Sequence, residues 1–226
     1  MNKIIKYFGE VEDFREGMKE YNPNYNDYII ETNNLDNRIL LKNIENENIN
    51  LNELYDILGE NFYADEDISL EEVLVDVLKE NNLILATAES CTGGLIASKI
   101  VSIAGASDVF YEGLVTYSND AKVNRLNIDE NVIREYGAVS KETANEMAYG
   151  LMNGNVDVGI ATTGIAGPSG GTEEKPVGLV YIGVAIKAND PVVNKFLFKG
   201  DRQKIRESAT NMALFCAYSL LLEFIN

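Results

Sequence analysis

From residue 68 onward, short apolar runs alternate with helix-length amphipathic stretches, and several of the runs end in clusters of Gly, Ser and Thr. Leu83–Ala88 and Val156–Thr162 are short and continuously apolar, as expected of strands buried on both faces. Between and after them, Ser69 with Glu72 three residues on starts a helix, carrying Leu70, Val73, Leu74, Val77 and Leu78 on one face. Further helices are predicted over Thr92–Ile103, from Ser118, after Val139-Ser140, and from Asp201 to the end. Gly113–Tyr117 reads as a strand, and Val177–Lys187 and Val192–Phe198 as a strand pair. Strands alternating with helices predict an α/β fold: a three-layer sheet with helices on both faces.

Residues 1–66 differ. They are rich in Asn, Tyr and acidic side chains, and read as a small α+β domain preceding the α/β domain of residues 67–226. Lys3–Phe8, Tyr25–Glu31 and Arg38–Lys42 are strand candidates, with a turn at Thr32–Asn37. Val11–Tyr21 is a helix candidate with Phe14 and Met18 on one face, and Leu51, Leu54 and Leu58 mark a second helix stopped by Gly59.

Composition narrows the chemistry. The chain has no His, which removes Ser-His-Asp and Cys-His catalysis and His-ligated zinc. Its net charge of −17 opposes a nucleic-acid groove, while leaving room for a local pocket that takes one small phosphate. Cys91 and Cys216 form no CxxC pair and suggest neither a metal site nor a disulfide; free thiols fit a reducing cytoplasm. The first residues lack the apolar run of a signal peptide, and Met212–Ile225, interrupted by Glu223, is read as too short to span a bilayer. No metal is expected, so EDTA should not change any activity of the second domain.

Three segments carry more Gly, Ser, Thr and charge than packing requires. Ala88–Gly94 (AESCTGG) joins a strand to a helix, so Ser90 is placed like a nucleophile beside the amides of Gly93 and Gly94; the plainer alternative is that Ser90 or Thr92 caps the helix. Thr116–Lys122 places a lysine near a helix start, where the dipole disfavours a cation. That Lys122 is either a solvated surface residue or a base kept neutral by burial. Thr162–Thr172 opens a buried strand into a glycine-rich loop that matches neither the P-loop nor the dinucleotide-binding spacing, and reads as a binding loop.

Together, AESCTGGLIAS (88–98), YEGLVTYSNDAK (111–122), GAVSKETA (137–144), TGIAGPSGGTEEKPVG (163–178) and GDRQKIR (200–206) resemble the carboxy-terminal domain of the CinA family, the nicotinamide-nucleotide amidases, over about residues 68–220. Residues 1–66 are more weakly similar to the middle domain of full-length CinA proteins, and the resemblance leaves no expected counterpart within this sequence for the large amino-terminal domain of those proteins. Ala106-Ser107 stands where the family often has Ser-Ser. The resemblance implies hydrolysis of the carboxamide of nicotinamide mononucleotide, in pyridine-nucleotide salvage, without a cofactor. It implies Ser90 as nucleophile and Lys122 as base. It also implies a substrate pocket drawn from Glu89, Thr92, Gly93, Gly94, Tyr111, Tyr117, Thr162, Thr163 and Gly164. Arg202 would pair with the substrate phosphate, or else cap the last helix. The alternative is a non-catalytic nucleotide-binding or regulatory module. The expected partner is a small nucleotide, with no nucleic acid or membrane, and a homodimer is expected, as for many cytoplasmic enzymes.

Overall fold

The computed structural model describes residues 1–225, which divide into two compact units, Met1–Val73 and the residues from Leu74 onward, with the chain boundary falling within a helix. The first unit is a four-stranded antiparallel sheet of β1 (Lys3–Phe8), β2 (Tyr28–Asn33), β3 (Asp36–Leu41) and β4 (Phe62–Ala64), in the order β2-β3-β1-β4. Helices α1 (Val11–Tyr21) and α2 (Leu51–Leu58) complete it. Phe14 and Met18 of α1 and Leu54 and Leu58 of α2 are buried with Ile5, Ile39 and Leu41 of the sheet, so the helix periodicity read from the sequence points into this core. A two-residue turn at Asn34-Leu35, both at positive φ, joins β2 to β3. The helix that crosses the boundary, α3 (Leu70–Glu80), begins as its sequence signals: the Ser69 hydroxyl accepts from the Glu72 N–H.

The second unit holds the five-stranded sheet β6-β5-β7-β8-β9, built from β5 (Leu85–Glu89), β6 (Phe110–Val115), β7 (Val158–Gly164), β8 (Leu179–Ile186) and β9 (Val192–Leu197). β5 runs parallel to β6 and β7, whereas β8 and β9 turn back antiparallel. Helices α4 (Leu95–Val101) and α8 (Arg202–Ile225) pack together on one face. On the other face α7 (Lys141–Tyr149) lies on the sheet beside α5 (Asn119–Leu126) and α6 (Glu130–Tyr136). The sheet is therefore covered on both faces, the three-layer α/β arrangement expected from the alternation of elements. α7 sits so close that a Cβ on Gly183 would come within 2.7 Å of the Ala144 carbonyl oxygen, which only glycine avoids.

The reading of one helix from Ser118 needs correction: there are two. Asn127 takes a left-handed conformation and ends α5, and Asp129 then caps α6 through the Asn131 N–H. The last helix forms where the sequence places it, and only its apolar length differs from the reading of Met212–Ile225 as too short to span a bilayer. At 24 residues α8 is long and apolar enough to cross a membrane, but half of its most apolar stretch is buried within the protein, with Ile205, Ala209, Ala213, Ala217 and Leu221 inward. It is a core helix of this unit.

The chain leaves β5 for β6 on one side and returns to β7 on the other. This divergence opens a crevice at the carboxyl ends of the central strands, the usual ligand position in sheets of this kind.

Candidate active site

The crevice is built where β5, β6 and β7 end. The ladders run one step beyond the strands: the Ser90 N–H donates to Thr162 O and the Thr116 N–H to Glu89 O. The alternation of side chains along β5 then decides which residues face the crevice. Ala86 and Ala88 pack into the core shared with Leu126 and Met147, on the α5–α7 face, and Ser90 continues that series. Glu89 points to the opposite face, toward α4.

Ser90 meets Lys122 there. The Lys122 Nζ lies 3.0 Å from Ser90 Oγ, 2.8 Å from Thr116 O and 3.4 Å from Tyr117 O. Lys122 sits just past the first turn of α5, which Ser118 caps through the Ala121 N–H, and its side chain reaches back along the helix to the end of β6. It is 1% exposed, and no carboxylate is among its hydrogen-bond partners. Burial therefore lowers its pKa from 10.5 to about 8.

The arrangement fits a neutral amine as well as an ammonium. An ammonium has three protons, for two carbonyls and the hydroxyl. A neutral amine keeps two protons on Thr116 O and Tyr117 O and aims its lone pair at the Ser90 O–H. The geometry thus prepares Lys122 to take a proton from Ser90. Cys91, next in the chain, does not compete as nucleophile: burial pushes its thiol up to about 12, so it is not a thiolate.

A cavity of about 300 Å³ opens onto this pair. Tyr117, Thr163, Gly164 and Arg202 line it with Ser90 and Lys122, so these six sequence-identified residues come together. Thr163 Oγ1 donates to Ala138 O, tying the end of β7 to the loop before α7. Arg202 donates to Gly167 O at 2.8 Å and to the Tyr117 hydroxyl at 3.3 Å, bridging the glycine-rich loop to the opposite wall. The loop itself, from Ile165 to Gly170, forms one side of the cavity.

The remaining sequence-identified residues do other work. The Glu89 carboxylate accepts from the N–H groups of Gly94, Ile96 and Ala97, closing the amino end of α4 from within. Helix α4 starts at Leu95, after Gly93 and Gly94 at φ 63° and 92°, and neither Ser90 nor Thr92 caps it. The expectation that this helix start offers free amides to a ligand is corrected for Gly94, Ile96 and Ala97, whose N–H groups Glu89 already holds, and neither Gly93 nor Gly94 lines the cavity. Thr92 and Thr162 share a hydroxyl–hydroxyl bond of 2.7 Å, both fully buried and outside the cavity lining. Tyr111 is also outside it. It lies at the amino end of β6, one residue after the Phe110–Leu85 pair, so it is at the far end of the sheet from Ser90. Its hydroxyl accepts from Asn155 instead.

Sequence reasoning missed Arg206 and the Ala138-Val139 wall. Arg206, one turn after Arg202, donates to Cys91 O at 3.2 Å and Thr92 O at 2.7 Å. No residue pattern marks a side chain that binds main-chain carbonyls. Ala138 and Val139 lie within GAVSKETA, whose signal was absorbed by the helix cap at Ser140.

Fold and site together define an α/β domain with a buried serine–lysine pair at the switch point of its sheet. Residues 67–221 match the family model described as the CinA C-terminal domain, and the chain belongs to that family. It is 53% identical over 172 residues to a competence-damage inducible protein of Clostridium beijerinckii, covering 76% of this chain and 42% of the relative. A CinA-like protein of Kosmotoga olearia is 50% identical over 169 residues, 74% of this chain and 41% of the relative. The chain thus spans about two fifths of the length of these relatives. Among solved structures, the competence/damage inducible protein CihA from Agrobacterium tumefaciens is similar with a TM-score of 0.63 and 37% identity, over 70% of this chain and 99% of that one. A CinA superfamily protein from Escherichia coli gives 0.64 and 34%, over 67% and 88%.

Proposed function

We propose that this protein hydrolyses the carboxamide of nicotinamide mononucleotide to nicotinate mononucleotide and ammonia, with Ser90 as nucleophile and Lys122 as the proton carrier. The observation that carries the reading is the buried Lys122 amine, 3.0 Å from Ser90 Oγ with its other donors held by two main-chain carbonyls. An amide is a poor electrophile and a neutral hydroxyl a poor nucleophile, so the step needs a base, and the chain has no His. Neutral Lys122 takes the Ser90 proton as Oγ bonds to the amide carbon. The tetrahedral oxyanion that forms is held by main-chain N–H groups beside Ser90. Collapse breaks the C–N bond, and Lys122 passes its proton to the leaving nitrogen, releasing ammonia. Water then attacks the ester, Lys122 takes its proton, and the return of that proton to Ser90 Oγ releases the carboxylate product.

Not every amide near the pair is free for the oxyanion. Gly94 N–H is taken by Glu89 and Ile165 N–H by Leu179 O; the remaining candidates are the N–H groups of residues that line the cavity, Cys91 beside Ser90 and Ala166-Gly167 in the glycine-rich loop. Arg202 has five N–H donors, and two partners within the protein leave others for the substrate phosphate at the mouth of the cavity. The test is incubation of the purified protein with nicotinamide mononucleotide. Ammonia and nicotinate mononucleotide are expected in equal amounts. Binding of the nucleotide by calorimetry with no ammonia released would replace this reading with that of a binding module.

A further inference from the structure

Ser90 has a neighbour on each side. Lys122 meets it from the end of β6, with Nζ 3.0 Å from Oγ. The other neighbour comes from β7. That strand pairs with β5 in parallel register, Glu89 opposite Thr162, so one step further Ser90 stands beside Thr163. Ala161 shares the core of Ala86 and Ala88, and two residues on Thr163 presents its side chain on the same face as Ser90. Adjacent strands lie about 4.8 Å apart, so a group bonded to Ser90 Oγ comes within hydrogen-bond reach of Thr163. Ser90, Lys122 and Thr163 all line the cavity.

The bond that Thr163 already makes decides what else it can offer. Its Oγ1 lies 2.6 Å from Ala138 O, and Ala138 also lines the cavity, so this bond is part of the wall. A carbonyl oxygen only accepts, and a hydroxyl has one proton, so that proton is committed to Ala138. Among the described residues no group donates to Thr163 Oγ1. Beside the nucleophile stands an oxygen with lone pairs to give and no proton.

We infer that Thr163 is the specificity-determining residue that makes this pocket select a carboxamide over an ester or an acid: its Oγ1 accepts an N–H of the carboxamide nitrogen while its own proton stays on Ala138 O. An ester or carboxylate oxygen in that place sets lone pairs against lone pairs, unless Thr163 abandons Ala138. A site built to bind an N–H discriminates strongly against a ligand that lacks one, because its polar group is then left unpaired. The contact also favours substrate over product, since hydrolysis removes the nitrogen and leaves a carboxylate. The inference deepens the amidase reading of the pocket and rests on it.

The test uses Thr163→Val, which keeps the branched shape and removes the hydroxyl, and Thr163→Ser, which keeps the hydroxyl. Each is combined with Ser90→Ala to stop turnover, and binding of nicotinamide mononucleotide and nicotinate mononucleotide is measured by calorimetry. Thr163→Val should weaken binding of the amide by about 5- to 100-fold and of the acid by less than about twofold, so the preference for the amide falls. General damage to the pocket would weaken both alike. Thr163→Ser should recover the preference. With Ser90 present, Thr163→Val should lower kcat/KM for the amide by a similar factor, and the pH at which kcat/KM rises should stay in place because Lys122 is untouched. Should Thr163→Val not fold, the change is made in the ligand instead: the methyl ester of nicotinate mononucleotide keeps the ring and carbonyl but has no N–H, and should bind the Ser90→Ala protein at least about fivefold more weakly than the amide. If nicotinamide mononucleotide is neither bound nor cleaved, that assignment of substrate fails, and the role of Thr163 is read with nicotinamide and benzamide against nicotinate and benzoate. An amide preference that is lost in Thr163→Val then upholds it, and no amide preference in the native pocket overturns it. An ester bound as tightly as the amide, or an amide preference within about twofold of the native one in folded Thr163→Val, would also overturn the inference.

Discussion

Lys122 should make the folded protein less stable than it could be, and Lys122→Met is the perturbation that reads this out. Burial moves the amine from 10.5 to about 8, so carrying a proton inside costs the fold about 3 kcal/mol relative to carrying it in the unfolded chain. Below pH 8 both states are protonated and the penalty is complete. Between pH 8 and 10.5 the folded amine is neutral while the unfolded one still binds its proton; the unfolded state then holds more protons, and stability rises with pH. Above pH 10.5 the penalty is gone. Methionine removes it at every pH, but leaves three partners without the Lys122 Nζ: the buried Thr116 O, a loss of about 1–2 kcal/mol, and Tyr117 O and Ser90 Oγ, whose residues line the cavity and exchange this bond for water at little cost. At pH 7 the variant should therefore be more stable by about 1–2 kcal/mol, a rise in Tm of roughly 3–6 °C for a chain of this size. The sign of the difference should cross between pH 8 and 10.5, leaving the variant the weaker protein in alkali. Urea unfolding of both proteins from pH 6 to 11, followed by circular dichroism, measures the difference directly, and other titrating groups cancel between the two. A variant less stable at pH 7, or a difference flat across the series, would refute the argument that Lys122 is held against its desolvation.

Much of this organisation was legible in the sequence, and the exceptions have physical causes. The strands and helices of the second unit follow from apolar runs and their spacing, and Ser90 and Lys122, 32 residues apart, each stand where a strand runs into a helix. β4 has three residues, too few for any periodicity to register. The break between α5 and α6 was written in Asn127 and Asp129, a left-handed stop followed by a cap, but the apolar spacing runs on through both. Within the site, treating AESCTGG as one ligand-binding block overlooked the alternation of a strand, which sends Glu89 and Ser90 to opposite faces. Tyr111 shares a segment with Tyr117, yet a strand's length of backbone separates them and only the carboxyl end borders the crevice. Arg206 was out of reach for a different reason: its partners are main-chain carbonyls, which carry no side-chain signature.

Three further outcomes are expected. Ser90→Ala and Lys122→Ala should each lower kcat by at least about 1000-fold, and the double variant should be little worse than either, since the pair acts as one unit; additive losses would assign them separate roles. The kcat/KM for nicotinamide mononucleotide should rise with pH and level off above about 8, because Lys122 acts only when neutral; a profile that falls over that range would point to an acid instead. Glu89→Gln separates a clamp from a base. The carboxylate accepts three main-chain N–H bonds, two at one oxygen from Gly94 and Ile96 and one at the other from Ala97. An amide in its place has a single acceptor oxygen, so its NH2 group must face at least one of these donors. Hydrogen bonds to a charged acceptor contribute about 1.5–3 kcal/mol each, so losing one and turning a donor against another should cost about 2–4 kcal/mol and lower the Tm by roughly 5–12 °C. Because α4 is fixed by this clamp immediately after the Cys91–Gly93 turn, activity should fall together with stability while the pH profile keeps its Lys122 limb. A Glu89→Gln protein with wild-type Tm and a displaced pH limb would instead make Glu89 part of the proton-transfer chemistry.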